Sequence, residues 1–156
     1  MKRAIVPGSF DPITLGHLEL IRAASARYDE VVVAVMVNAQ KQYLFDMATR
    51  VRMAELTVQD LPNVRVIGDE GLLIDLYDRL EASAVFKSYR NETDLAYETE
   101  MAEWNRAHNP HFVTELVRAE GKYATVSSTQ VRERLAAGDQ TCDLVHPDIL
   151  PLLHSK

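Results

Sequence analysis

Apolar positions along the chain fall into five short runs separated by stretches with helical spacing. The runs are rich in β-branched residues and almost continuously apolar, and they lie at residues 3–6, 30–37, 64–67, 84–86 and 112–117. In the intervening segments, apolar residues recur every three or four positions, at 14–28, 46–59, 72–80, 95–108 and 128–137. Continuous apolar strands alternating with helices are typical of a buried parallel sheet. The pattern therefore predicts an α/β fold with a doubly wound, five-stranded parallel sheet.

The helical segments carry start and stop signals that refine this prediction. Thr14 and Asp46 are predicted to cap the first two helices, and Gly138-Asp139 is predicted to end the last long one. In the first helix one stripe is expected to face the core, at Leu18, Ile21, Ala24 and Tyr28. A chain of 156 residues, 47% of them hydrophobic, is expected to form one domain, over residues 1–156.

Composition narrows the classes of function. A formal net charge of −6 argues against a general nucleic-acid binder, which needs a basic face to displace counterions from phosphates. The apolar runs are short and the first one begins at Arg3, so we expect no signal peptide, no membrane span and a cytoplasmic location. The single cysteine, Cys142, cannot form an intramolecular disulfide, and we interpret it as incidental.

The loop after the first strand is the first place to look for a ligand, because such sheets bind ligands beyond the carboxyl ends of their strands. Residues 7–17 read Pro-Gly-Ser-Phe-Asp-Pro-Ile-Thr-Leu-Gly-His. Gly8 and Gly16 would let the backbone approach a phosphate, and His17 could face that anion at the start of a helix. A tight turn, a helix capped by Thr14 and a histidine that only packs is the alternative that a short motif leaves open.

A second candidate segment lies near the end of the chain, at residues 126–132, Val-Ser-Ser-Thr-Gln-Val-Arg. Hydroxyls and free N–H groups at a helix start can cradle the phosphates of a nucleotide. An ordinary serine or threonine N-cap is the simpler alternative for this segment alone.

Together the two segments resemble known signatures. Residues 7–17 resemble the G-S/T-F-D-P-x-T-x-G-H string of phosphopantetheine adenylyltransferases, and residues 126–132 resemble I-S-S-S/T-x-I/V-R/K of the nucleotidylyltransferase superfamily. Lys41, Phe45 and Arg50 resemble the family's K-x-x-x-F-x-x-x-x-R, and residues 87–98 resemble R-G-L/I/V-R-x-x-x-D-x-x-Y-E. The resemblance covers nearly the whole chain and implies a Rossmann-like fold of the nucleotidylyltransferase type.

The resemblance also implies roles for individual residues. The expected catalytic residues are His17, Lys41 and Arg90. The expected acceptor-binding residues are Ser9, Lys41, Leu73 and Lys87. The expected ATP-binding residues are Ser9, Phe10, His17, Ser88, Tyr89, Arg90, Glu98, Tyr123, Ala124, Thr125, Val126, Ser127, Ser128 and Thr129.

The implied reaction transfers AMP from ATP to 4′-phosphopantetheine, giving dephospho-CoA and pyrophosphate. By the same resemblance Mg²⁺ accompanies ATP without a dedicated protein ligand set, the chain assembles as a homohexamer, and CoA is a feedback inhibitor at the active site. Three positions depart from the family pattern: Lys87 replaces arginine, Ser88 replaces glycine, and Ala39 replaces a common proline. They leave two alternatives open, a nucleotidylyltransferase with another phosphate acceptor and a nucleotide sensor without turnover.

The remaining candidates for chemistry are interpreted as structural. We expect Trp104 to be a buried aromatic, and His108 and His111 to belong to a loop after a helix. His146 and His154 are expected to face solvent, and no residue is assigned to a metal.

Overall fold

The computed structural model describes residues 1–138 and 143–154. Cys142 and Asp139, on which two of the sequence predictions fall, lie outside these ranges. The strands are β1 (Arg3–Gly8), β2 (Glu30–Met36), β3 (Val64–Asp69), β4 (Ala84–Tyr89) and β5 (Thr114–Arg118). The helices are α1 (Leu15–Arg27), α2 (Met47–Val58), α3 (Leu73–Arg79), α4 (Glu92–His108), α5 (Ser128–Ala136) and α6 (Leu150–Leu153), the last preceded by a 3₁₀ turn at Pro147–Ile149.

The five strands form one parallel sheet in the order β3-β2-β1-β4-β5. Ile5 marks the centre, because it pairs with Val32 on one side and with Val85 on the other. Successive strands run outward from β1 to β3, and the chain then crosses back to β4 on the opposite side of β1. The predicted doubly wound parallel sheet is confirmed, and its switch point lies between β1 and β4.

Side chains of the central strands alternate between two apolar layers, as the pleat requires. Val6 packs in the larger cluster, with residues of α1, α2 and α5. Ile5 points to the opposite face, where it packs with Leu76 of α3 and with Phe112. The middle of β1 (residues 4–6), the middle of β2 (residues 31–35) and the first half of β4 (residues 84–86) are buried, whereas β3 and β5 at the edges are only partly buried.

The predicted helix caps are present. Asp46 accepts a hydrogen bond from the Thr49 N–H at 2.8 Å, and Leu18, Ile21 and Ala24 are buried as expected. The fourth helix begins earlier than predicted, at Glu92 instead of residue 95, because Asn91 caps it and its first turn is acidic. The spacing of apolar residues cannot reveal a first turn that consists of polar residues.

Two predictions about side-chain exposure were wrong. Trp104 is 52% exposed and stacks on His108, with ring centroids 3.8 Å apart, because α4 buries only Glu98 and turns its aromatic face outward. His146 is partly buried, since its Nδ1 accepts the Asp148 N–H at 3.1 Å and caps the 3₁₀ turn. Across residues 1–138 and 143–154, no helix combines the length and the apolar character needed to cross a bilayer.

Candidate active site

A cavity of about 650 Å³ opens at the carboxyl edge of the sheet, beside the switch point. Its walls come from one side of α1, the end of β4, the first half of α4, the end of β5 with the segment that follows it, and the start of α5. Of the residues expected from the motifs, those that line it are His17, Lys87, Ser88, Arg90, Glu98, Tyr123, Ala124, Val126, Ser127 and Ser128. Segments far apart in the sequence therefore meet in one cavity of a size suited to a nucleotide-sized ligand.

His17 is the third residue of α1 and closes a capping box with Thr14. The Thr14 N–H donates to His17 Nδ1 at 2.9 Å, and the His17 N–H donates to Thr14 Oγ1 at 3.3 Å. The ring also lies edge-on to Phe10, with centroids 4.9 Å apart. The structural interpretation, a cap and a packed histidine, is thus correct, and it coexists with a position on the cavity wall.

The capping box fixes the tautomer of His17. Because Nδ1 accepts a backbone N–H, the neutral ring carries its proton on Nε2. Burial, and then the positive charge of Arg90, lower the pKa of His17 to about 4. The imidazole is therefore neutral at pH 7 and can donate one hydrogen bond from Nε2 without gaining or losing a proton.

The loop between β1 and α1 is fastened from the side of α5. Ser128 Oγ donates to the carbonyl of Pro12 at 2.7 Å, and Arg132 Nη1 donates to the carbonyl of Asp11 at 2.7 Å. Ser127 caps α5 by accepting the Gln130 N–H at 3.2 Å. The two signature segments thus hold each other in place.

The same loop is fastened from the side of residues 38–45. The buried Asp11 carboxylate accepts the N–H groups of Leu44 and Phe45, at 2.8 and 2.9 Å. The buried guanidinium of Arg50 donates to three main-chain carbonyls, those of Ser9 (2.8 Å), Phe45 (3.0 Å) and Met36 (3.2 Å). These bonds join the ends of β1 and β2 to the 38–45 loop, so the backbone at Ser9 is fixed.

Gly16 has a packing role that the sequence does not reveal. A Cβ at this position would lie 2.9 Å from the Tyr123 carbonyl oxygen and 3.1 Å from that of Val126. Both neighbours are backbone atoms, so neither can swing away. Gly16 therefore lets α1 approach the 123–126 turn closely enough to close the cavity.

Two cations at the end of β4 have carboxylate partners on α4. Lys87 Nζ lies 2.8 Å from Glu98 Oε1, and Glu98 is buried. Arg90 is exposed, and its Nε lies 3.4 Å from Asp94 Oδ2. The motifs assign Lys87 to the acceptor and Glu98 to ATP, whereas the structure places the two in one ion pair.

The chain is similar to known proteins over most of its length. Residues 5–134 match a family model described as cytidylyltransferase-like. A phosphopantetheine adenylyltransferase of a Nocardioides species is 40% identical over 156 residues, which cover 100% of this chain and 98% of that protein. The chain belongs to the phosphopantetheine adenylyltransferase family.

Other relatives agree with this assignment. The Lachnoclostridium phytofermentans enzyme of the same name is 35% identical over 100% of this chain and 96% of its own length, and the one from Limosilactobacillus reuteri strain DSM 20016 is 42% identical over 88% and 80%. A crystal structure from Vibrio parahaemolyticus, provisionally named nicotinate-nucleotide adenylyltransferase, superposes with a TM-score of 0.69 over 98% of this chain and 99% of that one. At 18% identity this last comparison establishes the fold alone.

Several of the residues expected in the family's site stand outside the cavity wall. Lys41 is exposed on the 38–45 loop, and Phe10 is buried beneath Gly8. Leu73 packs in the smaller apolar layer, with Leu76 and Phe112. The others are Ser9, Tyr89, Thr125 and Thr129. Their assignments remain predictions of the motifs.

The sequence also missed residues that the site uses. Asp11, Arg50 and Arg132 hold the first loop, although all three stand inside segments already matched to family motifs. A charged residue within a matched motif could have been predicted to position the loop, and this was the available signal for all three. Arg118, the last residue of β5, and Glu120, just beyond it, line the cavity, and nothing in their local sequence indicates this position.

Proposed function

We infer that this protein is a pantetheine-phosphate adenylyltransferase, which transfers AMP from ATP to 4′-phosphopantetheine and releases pyrophosphate. The observation that carries the inference is the neutral, tautomer-fixed His17 on the wall of a cavity formed by the family's signature segments. A group that donates a hydrogen bond but does not titrate near pH 7 suits a reaction between two phosphates better than one that needs a base.

The reaction can be written from these groups. An oxygen of the acceptor phosphate attacks the α-phosphorus of ATP, and the bond from that phosphorus to the oxygen bridging the β-phosphate breaks as pyrophosphate leaves. The attacking oxygen is already anionic, so no general base is required. His17 Nε2–H would donate to a non-bridging α-phosphate oxygen, where negative charge develops in the transition state.

The helix starts supply further donors. Ser127 and Ser128 line the cavity at the first turn of α5, where backbone N–H groups and the helix dipole favour the outer phosphates of ATP. Arg90 adds a positive charge on the cavity wall, and Lys41 is proposed to neutralise the acceptor phosphate from the 38–45 loop. The protein's contribution is then to hold two polyanions in line.

Mg²⁺ is proposed to arrive with ATP. In the part of the chain that the structure describes, no three His, Cys, Asp or Glu side chains converge as metal ligands. An ion held mainly by phosphate oxygens and water, as Mg²⁺ commonly is, needs no such set of protein ligands. When bound, the ion would offset charge on the departing pyrophosphate.

Three further expectations from the resemblance are also proposals: a cytoplasmic location, assembly as a homohexamer, and inhibition by CoA at the active site. The assembly has support in α4, where Tyr97, Met101 and Trp104 are 61%, 38% and 52% exposed at helical spacing. Light scattering on the purified chain of 17.6 kDa tests it, and a monomeric mass would contradict the hexamer. Inhibition by CoA that is relieved as the concentration of phosphopantetheine rises would support the feedback proposal.

The central test is pyrophosphate release by the purified protein with ATP and Mg²⁺. Four acceptor conditions are compared: 4′-phosphopantetheine, glycerol 3-phosphate, nicotinamide mononucleotide and no acceptor. Release that depends on phosphopantetheine supports the proposal and shows that Lys87 and Ser88 are compatible with that acceptor. Release with another acceptor would mean a changed substrate, and ATP binding without release would mean a sensor.

A further inference from the structure

Tyr43 lies between the first loop and the end of β2, and its phenol oxygen has two polar neighbours. The Asn38 N–H donates to Tyr43 Oη at 2.6 Å, and Ser9 Oγ lies 3.5 Å from the same oxygen. The guanidinium carbon of Arg50 stands 4.1 Å from the centre of the ring. The phenol is therefore held from the ring side and from the oxygen side, next to a residue that the motifs assign to the acceptor.

The hydrogen-bond capacity of this phenol is not exhausted by these contacts. A phenolic hydroxyl has one hydrogen to donate, and the oxygen already accepts from the Asn38 N–H. The 3.5 Å separation from Ser9 Oγ is longer than a normal O–H···O bond of about 2.7–2.8 Å. The hydroxyls of Tyr43 and Ser9 are thus two adjacent donors, and a ligand oxygen can accept from both.

The surroundings of Tyr43 favour an anionic ligand. Burial raises the pKa of Tyr43, but the contacts of its oxygen with Ser9 and Asn38, and the charges of Arg50 and Lys41, more than offset this and leave the pKa below its ordinary value. The two cations that act on the phenol are the ones that would also act on a phosphate placed beside it. A phenol in such a field is a stronger hydrogen-bond donor than an ordinary one.

We propose that Tyr43 is an acceptor-binding residue, whose phenolic O–H donates, together with Ser9, to the phosphate monoester of the acceptor substrate. The ring stacked on Arg50 fixes the distance between the two hydroxyls, since Arg50 also holds the Ser9 carbonyl at 2.8 Å. The proposal rests on the proposed function, because it places the acceptor phosphate at the end of β1.

The test is Tyr43→Phe, which keeps the ring on Arg50 and removes only the hydroxyl. We expect the KM for 4′-phosphopantetheine to rise roughly tenfold or more, the loss expected for a hydrogen bond to a charged group, while the KM for ATP changes less than about twofold. Tyr77→Phe is the matched control. Tyr77 Oη also accepts a backbone N–H, that of Val113 at 3.2 Å, and donates to the His111 carbonyl at 2.9 Å, but it lies in the apolar layer with Ile5 and Phe112 and not beside Ser9. An unchanged acceptor KM in Tyr43→Phe would overturn the proposal.

A second measurement does not depend on turnover. Protein with ¹³Cζ-labelled tyrosine is titrated with 4′-phosphopantetheine, with pantetheine and with inorganic phosphate, and the Tyr43 signal is assigned from its absence in Tyr43→Phe. The signal is expected to shift with the phosphorylated ligand and with phosphate but not with pantetheine. If the wild-type enzyme turns over no phosphopantetheine, the proposed function fails. The phosphate titration then decides this inference alone: a shift supports it and a static signal overturns it.

Discussion

His17 caps a helix and is proposed to donate to the reacting phosphate, and replacements at this one position can separate the two roles. In a capping box the third helical residue is usually glutamate or glutamine, whose side chain accepts the N-cap N–H. His17 Nδ1 occupies that place, accepting the Thr14 N–H at 2.9 Å. Glutamine can therefore keep the cap of α1, whereas alanine removes both the cap contact and the Nε2 donor.

The two roles have different magnitudes. Loss of a cap contact costs about 1 kcal/mol of stability, so the free energy of unfolding of His17→Ala is expected to fall by about that amount. The free energy of unfolding of His17→Gln should stay within about 0.5 kcal/mol of the wild type. Loss of a preorganised donor lowers kcat on the order of hundredfold or more, which is the expectation for His17→Ala. In His17→Gln the amide N–H is displaced sideways from the position of Nε2, so roughly a tenfold to hundredfold loss is expected.

The assay pairs urea unfolding with steady-state kinetics on each variant. His17→Glu completes the series, because a carboxylate keeps the cap, donates nothing and repels the α-phosphate. It should be as stable as His17→Gln and the least active of the three. Near-normal kcat in His17→Ala would refute the transition-state role, and unchanged stability in the same variant would refute the capping role.

The pH dependence of stability gives an independent check on the state of His17. Its pKa is about 4 in the folded protein against 6.5 ordinarily, so between these values the unfolded chain binds more protons than the folded one. The contribution of neutral His17 to the free energy of unfolding is therefore fully present above pH 6.5 and is lost as the pH falls towards 4. Its upper limit is about 3 kcal/mol. His17→Gln cannot show this loss, so the wild type should lose more stability than the variant over that interval. Parallel losses would mean that His17 titrates normally.

Substitutions at three further positions probe the framework of the site. Gly16→Ala should lose roughly 1–3 kcal/mol of stability and weaken ATP binding, because its Cβ would meet the Tyr123 carbonyl at 2.9 Å; an unchanged melting temperature would contradict this. Arg50→Met should lose about 3 kcal/mol or more of stability in urea unfolding, since three carbonyls lose a buried donor. A loss below about 1 kcal/mol would contradict this role of Arg50. Lys87→Arg should keep kcat/KM within a fewfold by preserving the pair with Glu98, whereas Lys87→Met should lower it roughly tenfold or more; equal activities would show the pair to be dispensable.

Much of the fold was predictable because its signals are local. Continuous apolar runs such as 30–37 identify central strands, and they predicted a parallel sheet whose switch point lies where the chain's most distinctive loop begins. The errors fall where local polarity misleads. β4 continues for three residues past the predicted end, through Lys87-Ser88-Tyr89, because pairing with β5 extends along polar positions.

The site was predictable as a set of segments and not as a set of contacts. Motif matches indicated which loops meet, and the cavity confirms that residues of the 7–17 and 126–132 segments share a wall. They could not show that Lys87 pairs with Glu98, that Trp104 faces outward, or that Tyr43 stands beside Ser9. Each of these depends on the relative placement of two elements, which neither spacing nor composition encodes.

The T-x-x-H spacing at residues 14–17 makes the structural interpretation of His17 compatible with the proposed functional one. A histidine three residues after an N-cap is held at Nδ1 by the first free backbone N–H of the helix. Holding Nδ1 leaves Nε2 as the donor and opposes protonation of the ring, since a doubly protonated imidazole has no acceptor for the Thr14 N–H. The cap therefore produces the tautomer and supports the neutral state that the proposed role of His17 in phosphate transfer would use. A substitution that preserves helix stability at this position can still abolish the chemistry, whereas one that breaks the cap should damage both.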